Sequence, residues 1–127
     1  MIEEPKLLRI AKNLPRPSVK QIKALKMVPT GVANDAMWGK GAFTKAIKYF
    51  DPSSPTIPTI VGPALTVDTG PGDILALLAS LKFIKKGDIV MSSFGGYQGS
   101  AAAGDRVAGM IKNCGQQGSL PMGQCAT

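Results

Sequence analysis

Residues 61–115 read VGPALTVDTGPGDILALLASLKFIKKGDIVMSSFGGYQGSAAAGDRVAGMIKNCG, and the fold is decided there. The stretch opens inside TIVGPALTV (residues 59–67), a β-branched run that reads as a buried strand. Gly70-Pro71-Gly72-Asp73 then forms a turn, with Asp73 placed as a helix cap rather than a catalyst. The helix that follows sets Ile74, Leu77, Leu78 and Leu81 on one face and ends at Lys85-Lys86-Gly87. DIVMSSF (residues 88–94) is the next strand, with Asp88 at its start. After Gly95, Gly96 and Gly99 comes a helix with Val107, Met110, Ile111 and Cys114 on its apolar face, which makes Cys114 an inert buried thiol. Strand, helix, strand, glycine loop, helix outlines a right-handed α/β unit.

Within this unit FGGYQGSAAAGD (residues 94–105) has the ingredients of an anion site. Glycines let a ligand approach the backbone, and the free amides of a following helix favour a carboxylate or phosphate. The spacing matches neither a Walker loop nor a dinucleotide fingerprint. On spacing alone, a ligand-free glycine turn fits equally well.

Upstream, Pro15 and Pro17 separate a basic lead, residues 1–17, from SVKQIKALKMV, where Ser18 can cap a first helix. Thr30 is placed to cap a second helix, TGVANDAMWG, ended by Gly39, with Met37 and Trp38 read as core. The proline- and serine-rich loop DPSSPTIPT leads into the first strand, and no internal repeat is visible. Downstream, residues 116–127 (QQGSLPMGQCAT) carry neither a helical nor a strand period, and Cys125 has no packing context.

A chain of 127 residues with 44% hydrophobic and 18% charged residues fits one globular domain. No apolar run approaches the roughly 20 residues that span a bilayer, and charges and prolines interrupt any signal-peptide core. A cytoplasmic protein with no membrane partner is the expectation. Two cysteines and no histidine make a structural disulfide and a zinc site poor readings, and remove Ser/His and Cys/His catalysis. Chemistry is left to carboxylates, lysine, arginine, backbone amides or a bound metal. The net charge is +7, and seven of fifteen basic residues lie in the first 26. Lys20, Lys23 and Lys26 stack along a helix without interleaved aromatics, which favours a solvated face over an RNA-binding stripe.

The ordered set of motifs, upstream GVANDAM included, strongly resembles the RraA-like family over roughly residues 18–115. The matching pieces are the G-P-A-x-T-V strand, the G-D-x-L helix start, the G-D-I-V strand, the glycine loop and the G-D/E-x-x-A helix. That family includes 4-hydroxy-4-methyl-2-oxoglutarate aldolases, regulators of ribonuclease E activity, and proteins with an older demethylmenaquinone methyltransferase label. The resemblance implies an α/β fold of the swivelling β/β/α type, assembled as homotrimers or hexamers with sites between subunits. It implies cleavage of a carbon–carbon bond in a small 2-oxo acid, with magnesium or manganese as Lewis acid and pyruvate as product. The substrate carboxylate is then expected against Gly104, Asp105, Arg106 and Val107.

The family continues with a strand and D-G-x-x-R-D, whose arginine binds substrate and whose last aspartate helps hold the metal. Family spacing places these at positions 126 and 127, where this chain has Ala126 and Thr127. Alanine carries no cation, and a neutral hydroxyl is a poor ligand for a hard dication. No catalytic or metal residue is therefore assigned, and metal binding and turnover are expected to be lost. Codons permitted for Gly115–Thr127, read from their third base, can spell P-A-G-F-A-T-D-G-P-V-R-D, the missing strand and motif in register. The expectation is a one-base deletion or two-base insertion near codon 115, leaving a C-terminally incomplete domain over residues 18–115 and an aberrant tail over 116–127. A gene lesion, a sequencing error and a pseudogene all give this pattern. The alternative function is a non-catalytic regulatory binding protein, its basic lead meeting an acidic partner; methyl transfer comes third, because no S-adenosylmethionine motif is evident.

Overall fold

The computed structural model describes residues 8–43, 59–97, 99 and 103–114. Two five-residue strands, β1 (Ala64–Asp68) and β2 (Ile89–Ser93), pair in parallel, from Ala64 opposite Ile89 to Asp68 opposite Ser93. Parallel pairing needs a crossover, and the intervening chain supplies it with the helix α3 (Leu75–Ser80). The helix α4 (Asp105–Asn113) follows β2, while α1 (Val19–Lys26) and α2 (Thr30–Ala36) precede β1. Helices on a small parallel sheet match the expected α/β class.

The core lies where α3 and α4 meet the end of β2. Leu77, Phe94, Val107 and Ile111 form its buried centre, with Val67, Ile74, Leu81, Ile84, Val90 and Ala103 packed around them. Leu77 is fully buried, a position where an apolar side chain contributes about 1.5–3 kcal/mol. The expected apolar faces are narrower than the periodicity suggests. Leu78 and Met110 are 40% and 49% exposed. Cys114 is exposed as well, which corrects its reading as a buried thiol. A helix lying on a two-stranded sheet buries one stripe, and side chains at its margin stay in solvent.

Helix ends show which local rules held. Ser18 caps α1 in a capping box, its hydroxyl accepting from the Gln21 amide while the Gln21 side chain accepts from the Ser18 amide at 2.8 Å. Thr30 is the first helical residue of α2 and not its cap; the N-cap is Pro29, whose carbonyl accepts from Ala33 N–H at 3.0 Å. At the other end, Trp38 N–H donates to Asp35 and Gly39 N–H to Asn34, both at 2.9 Å. These paired bonds close a Schellman turn with Trp38, not a glycine, in the left-handed region at φ 57°. Trp38 is 91% exposed and Met37 49%, which corrects their assignment to the core.

α3 stops at Ser80, well before Lys85. The Ser80 hydroxyl donates to the Leu77 carbonyl at 2.6 Å, and Lys82 and Phe83 N–H reach back only three residues. The apolar period outlasts the helix, since Ile84 still packs on the core. Gly87, at φ 89°, turns the chain into β2, and a Cβ on Gly62 would run into the Gly87 carbonyl.

Candidate carboxylate site at the strand ends

Both parallel strands run toward the same edge, and the loops leaving them meet there. The ladder extends one step past β1, where Thr69 N–H donates to the Ser93 carbonyl at 2.9 Å. The buried Thr69 hydroxyl lies 2.9 Å from the Ser93 carbonyl and 3.0 Å from that of Gly70, so it ties the two loop bases together. The N-cap of α3 is Ile74 and not Asp73, which stands one residue earlier and accepts from Leu75 N–H at 2.8 Å.

The glycine loop after β2 presses on this turn. Gly95 and Gly96 adopt φ 60° and 74°, conformations that side chains rarely take. A Cβ on Gly95 would stand 3.3 Å from the Pro71 ring. Tyr97 lies over Gly72, with its ring 3.8 Å from where a Cβ would be. The backbone therefore comes close to both loops because side chains are missing there.

Phe94 opens the glycine loop and Val107 occupies the first turn of α4, and both are buried in one cluster. That contact anchors the start of α4 beside the loop. Gly104 is its N-cap, with no side-chain cap. Asp105 and Arg106 are exposed, while Val107 is 9% exposed and belongs to the core. Of the four expected binding residues, three therefore present backbone or side chain to solvent. Val107 offers neither its buried side chain nor its amide, which donates to the Gly104 carbonyl at 3.1 Å.

The amino end of α4 carries the positive end of the helix dipole, although Val107 N–H already donates to the Gly104 carbonyl at 3.1 Å. Asp105 uses part of that capacity itself, its carboxylate accepting from Arg106 N–H at 2.8 Å. Among the described residues no partner meets the Asp105 amide. An arriving anion would compete there with the Asp105 carboxylate, and Arg106 is exposed at the next position. This arrangement can bind and orient an anion, and by itself it moves no proton.

Ala126 and Thr127 lie outside the described residues, as do the tail and Cys125. Among the described residues, no three His, Cys, Asp or Glu side chains gather as a metal set. The donors among the described residues do not make a site for a divalent ion. A wide cleft of about 790 Å³ runs from Leu8, Ile10 and Leu14 of the lead past Leu65 and Phe83 to Thr69, Gly70 and Asp73 at the strand ends, and does not include residues 104–107.

One interaction escaped the motifs altogether. Asp88 is fully buried, and Arg16 grips both its oxygens at 2.5 and 2.6 Å across 72 positions of sequence. Lys85 N–H donates to the same carboxylate at 2.8 Å. Burial pushes the Asp88 carboxyl up, but the Arg16 and Lys85 hydrogen bonds and the Arg16 charge outweigh it and hold it below the usual carboxylate range. Arg16 is raised in turn, chiefly by its hydrogen bond to Asp88. The available signal was Pro15-Arg16-Pro17, where two prolines restrict the backbone around one cation.

No helix among the described residues is long and apolar enough to cross a membrane. The model of the RraA-like family, described as Aldolase/RraA, matches residues 30–125. The matched span takes in the residues just beyond Gly115 and stops short of Ala126. A Halalkalibacterium halodurans protein named "Putative 4-hydroxy-4-methyl-2-oxoglutarate aldolase" is 34% identical over 97 residues. That alignment covers 76% of this chain and 44% of the relative, so the chain spans under half of that protein's length. No solved structure matches the chain. A family match over most of the chain, on a fold whose strand ends and α4 terminus carry the shared motifs, shows that the chain belongs to the RraA-like family.

Proposed function

We propose that the strand-end site is the carboxylate-binding half of an aldolase-type lyase acting on a small 2-oxo dicarboxylic acid, with pyruvate as a product. The observation that carries this reading is the open amino end of α4, held beside two glycine loops at the carboxyl ends of parallel strands. The name of the H. halodurans relative supports the same reaction class. In this role the Gly104–Arg106 backbone and the Arg106 guanidinium receive the carboxylate, and Asp105 yields the Arg106 amide to it.

The reading extends to a metal-dependent reaction and a swivelling β/β/α domain over residues 18–115, in a cytoplasmic homotrimer or hexamer. It further holds that this chain does not turn over substrate. Ala126 and Thr127 stand where the family motif has its arginine and metal aspartate. A regulatory, non-catalytic role is the competing outcome.

The test is a pyruvate-release assay with 4-hydroxy-4-methyl-2-oxoglutarate and magnesium, alongside calorimetric titration of the chain with pyruvate. Carboxylate binding without turnover is expected, with binding weakened by Arg106→Gln. Robust turnover by the 127-residue chain sinks the inactivity claim, and absence of any carboxylate binding sinks the site. Coding DNA across codon 115 that cannot spell D-G-P-V-R-D in another frame removes the frame-shift account.

A further inference from the structure

We infer that the outer face of α1 is a docking surface for an acidic polypeptide segment bearing spaced aliphatic side chains. Viewed down the helix, at about 100° per residue, Val19, Lys20, Lys23, Lys26 and Met27 fall on one side and Ile22 and Leu25 on the other. Exposure follows that division in part. Met27 is 85% and Val19 70% exposed, against 48% for Leu25, and Ile22 is half-buried. The lysine face is therefore a mixed surface, with two bare apolar side chains among three ammonium groups. No residue of α1 is buried, and the capping box holds the helix start in place.

Charge selects the occupant. Residues 8–43 carry seven basic side chains against one acidic, Asp35, and the one ion pair among the described residues occupies Arg16. No carboxylate of the described residues pairs with Lys20, Lys23 or Lys26. A second copy presenting the same face would meet like charge. A lipid surface calls for a continuous apolar stripe, which this face lacks because Ile22 and Leu25 lie on the other side. Single-stranded nucleic acid calls for stacking aromatics, and α1 has none. An acidic segment with aliphatic side chains at helical spacing satisfies both the lysines and the Val19–Met27 pair.

The test uses the full chain and a fluorescein-labelled peptide of repeated Glu-Glu-Leu, followed by fluorescence anisotropy. Binding at low salt is expected, weakening as salt rises to about 0.3 M. K20Q/K23Q/K26Q should weaken it about tenfold, and V19S/M27S should weaken it separately. A K20E/K23E/K26E chain should instead take a Lys-Lys-Leu peptide. Circular dichroism of each variant confirms that the fold persists, since every substituted side chain is exposed. The inference is overturned if the acidic peptide does not bind or if the glutamine variant binds it unchanged. Tighter binding of oligouridylate or phosphatidylglycerol vesicles than of the peptide overturns it equally. These readouts do not involve α4, so they stand or fall apart from the carboxylate site.

Discussion

Residues 61–114 and residues 8–43 are built from similar amounts of helix-forming sequence, yet they behave as different kinds of structure. Among the described residues, the first region holds all five buried hydrophobic side chains, Leu65, Leu77, Phe94, Val107 and Ile111. The second has no buried residue in either helix and contains ten of the fifteen exposed large hydrophobics among the described residues. Its helices are stabilised by end chemistry: a capping box on α1 and a Schellman turn on α2. The strand–helix–strand unit is stabilised by burial. Amphipathic pattern alone cannot distinguish the two, because burial depends on a partner surface and not only on a period.

The largest expected effect tests the burial half of that contrast. Leu77→Ala should cost about 2–5 kcal/mol in chemical denaturation, whereas Leu25→Ala on α1 should cost under about 1 kcal/mol. Equal losses at the two positions would erase the distinction.

The next effect concerns the bond between the regions. Arg16→Ala leaves a buried Asp88 with Lys85 N–H as its remaining donor and should cost about 3 kcal/mol. The sign of the pH dependence follows from Asp88. Its folded carboxyl titrates below the unfolded one, so its stabilisation is present above the ordinary aspartate range of about 4. That stabilisation is lost as pH falls through the lower folded value. Melting temperatures from neutral pH down to about pH 3 should therefore fall more steeply for the parent chain than for Asp88→Asn. Parallel curves would remove the ion pair from the account of stability.

The smallest effect goes the other way. Trp38 sits at φ 57° with 91% of its surface exposed, so it bears backbone strain and little burial. Trp38→Gly should raise stability by up to about 1 kcal/mol. A loss would mean that the indole packs in solution.

Much of the α/β unit was legible because its signals are local. The β-branched run at 59–67, which contains most of β1, and the glycine punctuation at 70–72 and 95–96 each depend on a few neighbours. The failures share a cause. Trp38, Met37 and Cys114 read as core because they are apolar or periodic, but no element of the described fold covers them. For the site, residues 104–106 proved open at the start of α4, while Val107 turned out to serve the core.

By itself, the sequence determined element type, most turn positions, the capping box at Ser18 and membership in the RraA-like family, because these depend on residue identity over short spans. Tertiary structure alone decided which face of each helix is covered, that Thr69 joins the two loops, and that Arg16 reaches Asp88 across 72 positions. Those outcomes depend on which surfaces meet after the chain crosses over, and such meetings leave no period in the sequence.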